Sequence, residues 1–241
     1  MCGRYSLTTP VDGIRKLFGF SQIPNLPARY NIAPTQAVLA VRRDDQGRSA
    51  FMARWGLIPS WSKDPSIGAK MINARAETVQ EKPSFKSAFR RRRCLIPADA
   101  FYEWKTIGGA KQPFRIAFED ATVFAFAGLW ERWQGADGSD VETCSIVTTE
   151  ANAALADLHH RMPVILDSDL FETWLSGPED AAAATMQPYT GPRILTYHPI
   201  SRALNDVRND DSSLTDPVTL DETPEPDPAP KKKPTDQLSL F

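Results

Sequence analysis

The chain has 241 residues, 41% of them hydrophobic and 24% charged, the balance of a globular domain long enough for one well-buried core. Its net charge of −2 is unevenly spread: residues 209–241 hold eight acids against three lysines, a net of −5, which leaves +3 on residues 1–208. No run of about 18 apolar residues appears and no apolar leader follows Met1, so neither a membrane helix nor a secretory signal is expected, and a cytoplasmic protein is.

Taken in chain order, residues 9–18 open on Thr-Pro and read as a helix. A strand follows over 37–42. A short helix spans 84–91, where Phe85, Ala88 and Phe89 fall at i, i+3 and i+4. Apolar and β-branched runs at 93–97, 114–118, 122–129 and 143–148 read as strands, several apolar on both faces as central strands are. The Ala- and Leu-rich stretch 150–159 reads as a helix. Residues 167–175 read as another, with an Asp-Ser-Asp start and a stop at Gly177. Strands interrupted by short helices, without βαβ alternation or internal repeat, predict an α+β fold: a mixed, mostly antiparallel curved sheet or partial β-barrel with short helices.

This domain is expected to end near residue 208. Residues 209–236, with Asp-Pro, Thr-Pro-Glu-Pro-Asp-Pro-Ala-Pro and Lys-Lys-Lys-Pro, cannot bury enough apolar surface to offset chain entropy and read as a disordered tether. Residues 237–241 then return to apolar character.

The three cysteines, Cys2, Cys94 and Cys144, are odd in number and form no Cys-x-x-Cys or Cys/His pattern. A disulfide framework and a metal site are therefore not expected. Cys94 and Cys144 lie in apolar strand-like runs and read as structural. Cys2 is different. A small residue after Met1 permits removal of that methionine, which exposes an α-amine of pKa about 7.7–8.0 beside a thiol. Such a 1,2-aminothiol condenses with an aldehyde to an imine, and its thiol then closes a five-membered thiazolidine.

Six segments appear in order: Met1-Cys2-Gly3-Arg4-Tyr5, Asn31-Ile32-Ala33-Pro34-Thr35, Arg54-Trp55-Gly56-Leu57-Ile58-Pro59, Asn73-Ala74-Arg75-Ala76-Glu77-Thr78, Phe101-Tyr102-Glu103-Trp104 and His159-His160-Arg161-Met162-Pro163. Together they closely resemble the SOS response-associated peptidase (SRAP) family, over residues 2 to about 208, where His198-Pro199 and Asn205-Asp206-Val207-Arg208 match the family's end. The resemblance implies a protein that crosslinks itself to abasic sites in single-stranded DNA during replication or the damage response. Cys2 would be the nucleophile. Glu103 would do general acid/base work. Asn73 would hold the amine or the sugar oxygen, and His159, rather than His160, would assist proton transfer. An imine that escapes trapping can undergo β-elimination, so a weak abasic-site lyase activity is also implied. No cofactor is implied.

Arg4, Arg75 and Arg161 lie beside these residues and are expected to pair with phosphates. Trp61 and Trp104 are expected to stack on or wedge between bases, with Met71 beside Trp61, whereas Trp55 reads as core. The run 90–93 of four arginines extends the basic surface in this reading. The rival readings are a cysteine peptidase using Cys2, His159 and Asn73, and a non-catalytic DNA-binding adaptor. The terminal Gln237-Leu238-Ser239-Leu240-Phe241 resembles the clamp-binding pentapeptide of bacterial replication proteins: Leu238, Leu240 and Phe241 are apolar anchors with no use in folding, and Gln237 is a polar fix. The expected partner is the DNA polymerase sliding clamp.

Overall fold

The structure is a computed structural model and describes residues 2–21 and 26–220. In chain order the strands are β1 (Tyr5–Leu7), β2 (Arg29–Ile32), β3 (Ala37–Asp44), β4 (Gly47–Trp55), β5 (Asn73–Arg75), β6 (Arg93–Ala98), β7 (Ala100–Ile107), β8 (Ala110–Phe118), β9 (Phe124–Gln134), β10 (Asp140–Glu150), β11 (Arg161–Pro163), β12 (Ile165–Leu166) and β13 (Leu195–Pro199). Four short α-helices accompany them: α1 (Val11–Phe18), α2 (Pro83–Arg91), α3 (Phe171–Ser176) and α4 (Glu179–Ala184).

Strands β4, β3, β6, β9 and β10 pair in that order, and β10 pairs again with β4, so the ring closes as a five-stranded barrel. The closing β10–β4 contact is parallel and the other four are antiparallel. Closure explains why β6 and β9 are apolar on both faces: one face lines the barrel and the other is covered by helices and by the second sheet. That second sheet runs β13-β8-β7-β1-β2. The α+β expectation is met, and the partial barrel is a closed one.

The two early helices form as their apolar spacing requires. Ile14 and Phe18 of α1 are buried four residues apart, and Gly19 ends the helix in the left-handed region at φ 73° with its N–H on the Arg15 carbonyl. Phe85, Ala88 and Phe89 are the buried face of α2. The helix expected at 150–159 is absent. Glu150 ends β10 paired with Arg161, and the residues between are successive turns set by Asn152, whose Oδ1 accepts from the Leu155 N–H and whose Nδ2 donates to the Tyr189 carbonyl. Strand pairing and a turn-forming asparagine outweigh alanine's helical preference there. The helix expected at 167–175 is a 3-10 turn (Ser168–Leu170) followed by α3; Asp167 stands at the N-cap of that turn, but its side chain makes no capping hydrogen bond and pairs with Arg193 at 2.5 Å.

Residues 209–220, expected in the disordered tether, are packed on the domain. Asp210 accepts from the Tyr30 and Asn31 N–H groups and pairs with Arg29 at 2.6 Å. Leu214 is buried with Tyr102, Ile200 and Leu204, and the Val218 N–H reaches the Pro199 carbonyl. Residues 221–241, including the expected clamp peptide, lie outside the described residues. The arginine run also differs from expectation. Arg93 is buried and donates to the carbonyls of Trp174, Phe89 and Gly177, Arg92 pairs with Glu131 at 2.7 Å, and Arg90 pairs with Glu179 at 3.3 Å. Three of the four guanidiniums thus tie α2 to the barrel, α3 and α4. No helix among the described residues is long and apolar enough to cross a membrane.

Candidate active site

Cys2 stands three residues before β1 of the second sheet and meets the start of β5 through Asn73. Strand β1 lies between β7 and β2, with Tyr5 opposite Phe101, and the Tyr102 N–H donates to the Arg4 carbonyl at 3.0 Å. The chain immediately after Cys2 is thereby held as sheet, and Cys2 itself is fully buried. Beyond β1, the carboxylate of Asp99 accepts from Ser6 Oγ, Thr8 N–H, Thr8 Oγ1 and Thr9 N–H, pinning the strand's exit.

Asn73 reaches Cys2 from the barrel side. It opens β5, which pairs in parallel with β10 through Asn73 opposite Ile146. Trp55 is buried as core, and its Nε1 donates to the adjoining Ile72 carbonyl at 2.9 Å. Gly56 permits the approach: at φ 132° a side chain is strained, and a Cβ there would lie 2.5 Å from the Gly68 carbonyl oxygen. The result is a hydrogen bond from Asn73 Nδ2 to the Cys2 carbonyl at 2.8 Å. Asn73 Oδ1 is buried without a hydrogen-bond partner among the described residues, which leaves an acceptor beside the Cys2 backbone.

Glu103 and His159 complete the group. Glu103 is on β7, with its side chain 6% exposed, and its Oε2 lies 3.9 Å from His159 Nε2. His159 Nδ1 lies 2.9 Å from the Arg161 backbone nitrogen. It also lies 3.1 Å from the Arg161 carbonyl, so whether it donates or accepts follows the tautomer, and Nε2 faces Glu103 in either case. His160 stacks on His159 with centroids 4.4 Å apart but is exposed, so of the two histidines it is His159 that faces inward.

Burial governs the protonation states here. It pushes the Cys2 thiol well above its usual range, and the charge of Glu103 adds to that effect. It raises the Glu103 carboxyl and lowers His159. The site therefore favours a protonated thiol, a carboxyl that keeps its proton closer to neutral pH than usual, and a neutral imidazole.

The residues expected to meet DNA are more dispersed. Arg75 is exposed at the end of β5. Trp61 is 60% exposed on the loop after β4, and Met71 is half-buried against the core. Trp104 is half-buried; its Nε1 donates to Asn205 Oδ1 at 2.8 Å, and the Arg4 guanidinium lies 5.9 Å from its ring centre. Arg4 is engaged within the protein, its Nη1 donating to Asn31 Oδ1 at 2.6 Å and to the Leu204 carbonyl at 2.8 Å. Arg161 is only 10% exposed and pairs with Glu77.

Four residues behind the site received no role from sequence: Asn31, Glu77, Asp99 and Asp210. Asn31 is fully buried, and its Nδ2 donates to the carbonyls of Leu204, Asp206 and Asn209. Its place within an ordered motif was the available signal. Asp210 carried no signal, because it stands in a segment of tail-like composition. Among the described residues, no group of three His, Cys, Asp or Glu side chains is placed to hold a metal ion.

Comparison with known proteins is specific. A sequence profile of the SOS response associated peptidase (SRAP) family matches residues 1–207. The abasic site processing protein YoqW of Bacillus subtilis strain 168 is 41% identical over 223 residues, which span 89% of this chain and 98% of that protein. The abasic site processing protein HMCES of Gallus gallus is 34% identical over 201 residues, 73% of this chain and 60% of that one. A crystal structure of a Bacteroides thetaiotaomicron protein superposes with a TM-score of 0.81 at 27% identity, covering 90% of this chain and 100% of that one.

Proposed function

The chain belongs to the SOS response-associated peptidase family, and from that premise we propose that it processes abasic sites in single-stranded DNA by bonding them covalently to Cys2. The observation that carries this reading is the convergence on Cys2: its carbonyl is held by Asn73 Nδ2 at 2.8 Å, and the Glu103–His159 pair, 3.9 Å apart, stands beside it.

Removal of Met1 leaves an α-amine on Cys2. That amine adds to C1′ of the ring-opened deoxyribose, and loss of one water gives an imine. The thiol then adds across the C=N bond: an S–C1′ bond forms and the thiol proton passes to nitrogen. Atoms balance with one water released and no oxidant. Glu103, with its raised carboxyl, supplies the proton that opens the sugar hemiacetal and expels the water. His159 presents Nε2 to the same region, and Asn73 Oδ1 accepts from the amine and orients it. If the thiol does not close the ring, proton loss from the imine leads to β-elimination, which is the weak lyase activity.

A peptidase mechanism has less support. It requires a thiolate at neutral pH, and burial drives the Cys2 thiol the other way. The test is the intact mass of the protein after incubation with a single-stranded oligonucleotide bearing one abasic site. A heat-stable adduct on the N-terminal peptide is expected, lost in Cys2→Ala and lost when an alanine is inserted between Met1 and Cys2. No adduct from protein already lacking Met1 refutes the proposal.

Residues 237–241 are proposed to dock Leu238, Leu240 and Phe241 on the DNA polymerase sliding clamp, with Gln237 as the polar fix, so that a cytoplasmic protein is concentrated at replication forks.

A further inference from the structure

Arg161 has the position expected of a phosphate contact, yet its guanidinium is already occupied. Nη1 donates to Glu77 Oε1 at 2.6 Å, and Nη2 donates to Glu77 Oε2 at 3.1 Å and to the Thr148 carbonyl at 2.7 Å. Nε is buried without a hydrogen-bond partner among the described residues. The Arg161 side chain is 10% exposed and that of Glu77 is 46% exposed. The carboxylate therefore covers the guanidinium from the solvent side, in the two-pronged geometry with which arginine takes a phosphate.

Space for the carboxylate to leave already exists. A cavity of about 390 Å³ adjoins it, lined by Glu77, Gln80, Thr149, Glu150, Met186 and Gln187. Gln80 and Gln187 are exposed at its rim and bring amide N–H groups that can receive a displaced carboxylate. Arg75, two residues before Glu77, is exposed.

We propose that Glu77 is a built-in stand-in for a strand phosphate: it occupies Arg161 in the free protein and turns into the neighbouring cavity when a nucleic-acid phosphate takes its seat. The inference rests on the single-stranded DNA reading above and deepens it by making Glu77 a specificity-determining residue. A lone anion meets Arg161 already paired. A strand that is also held at Arg75 presents its next phosphate at high effective concentration and displaces the carboxylate. The device therefore favours a polyanionic strand over a lone phosphate or a mononucleotide.

The test is the equilibrium affinity of the full-length chain for an undamaged single-stranded oligonucleotide, read by fluorescence anisotropy, so that no crosslink contributes. Glu77→Gln is expected to bind about fivefold tighter, the upper range of what a solvent-facing ion pair is worth. Arg161→Ala is expected to bind more weakly than the wild type, and Glu77→Gln in the Arg161→Ala background is expected to add nothing. Gln80→Ala with Gln187→Ala should weaken binding in the wild type and have no effect in Glu77→Gln. Affinity unchanged or reduced in Glu77→Gln overturns the proposal. So does an equal gain with and without Arg161, because the effect is then bulk charge. Glu77→Asp, whose shorter side chain cannot hold the same two-pronged contact, should fall between wild type and Glu77→Gln, which separates displacement from misfolding. If neither the wild type nor any variant binds single-stranded DNA, the reading of the preceding subsection falls together with this one; a wild type that binds but is indifferent to Glu77 overturns this one alone.

Discussion

Asn31→Ala is the most informative single change outside the group around Cys2. The buried amide accepts from the charged Arg4 Nη1 at 2.6 Å and donates to three carbonyls, those of Leu204 at 3.1 Å, Asp206 at 3.1 Å and Asn209 at 2.8 Å. Truncation removes one charge-assisted hydrogen bond, worth about 1.5–3 kcal/mol, and neutral ones worth about 1 kcal/mol each. The Leu204 carbonyl keeps Arg4 as a donor, and Asp206 and Asn209 lie at the solvent edge, where water re-pairs them in part. The expected net loss is therefore about 3 kcal/mol, or about 6–12 °C in Tm for a domain of this size. Differential scanning calorimetry measures it. The same variant takes the Asn31 partner from Arg4 and loosens the 204–210 segment that carries Asn205, the partner of Trp104, so Arg4 and Trp104 lose their fixed placement and affinity for single-stranded DNA is expected to fall at temperatures where the variant is fully folded. A drop of less than about 2 °C refutes the assignment of Asn31 as the residue that holds this segment.

Three further outcomes are expected. Burial raises the Glu103 carboxyl, so between the ordinary carboxylate range and that raised value the native state keeps a proton the unfolded chain has lost. Its stability falls as pH rises through that window, and the Tm of Glu103→Gln relative to wild type should increase between pH 4 and pH 8; a flat difference contradicts this. Gly56→Ala places a Cβ 2.5 Å from the Gly68 carbonyl at φ 132°, which should cost at least about 3 kcal/mol by urea denaturation; a loss below about 1 kcal/mol shows that the two segments separate easily. Deleting residues 237–241 should abolish binding to the sliding clamp in surface plasmon resonance while leaving adduct formation on free oligonucleotides unchanged, and unchanged clamp affinity removes the peptide's assigned role.

The candidate residues were legible through the order of the motifs that contain them, which is specific. Cys2, Asn73 and Glu103 are singled out by the order of the six motifs and the family resemblance they carry, since a cysteine after Met1, a turn-forming asparagine or a carboxylate beside an aromatic strand is by itself commonplace. Four of the five barrel strands, β3, β6, β9 and β10, were legible as apolar or β-branched runs, whereas β4 was not, because its Gly47-Arg48-Ser49 start and alternating pattern carry no such run. The region 150–159 misled for a physical reason: its alanines and leucines favour a helix, but Glu150 is committed to pairing with Arg161 across the hairpin, and Asn152 dictates the turns between them. Residues 209–220 misled by composition, because Asp210 and Leu214 gain their value from Arg29, Tyr30, Asn31 and Tyr102, partners more than 100 residues away in sequence.

Sequence by itself determined which groups are present: an aminothiol in waiting, a carboxyl, an imidazole, an amide and a set of arginines. Only the tertiary structure decided their states. Burial, which arises from strands remote in sequence, sets the protonation of Cys2, Glu103 and His159. Non-local partners decide which arginines remain available: Arg75 is exposed, Arg93 is buried among carbonyls, and Arg161 is held by Glu77. Charge is written in the sequence, but its solvation and its counter-ion are properties of the fold.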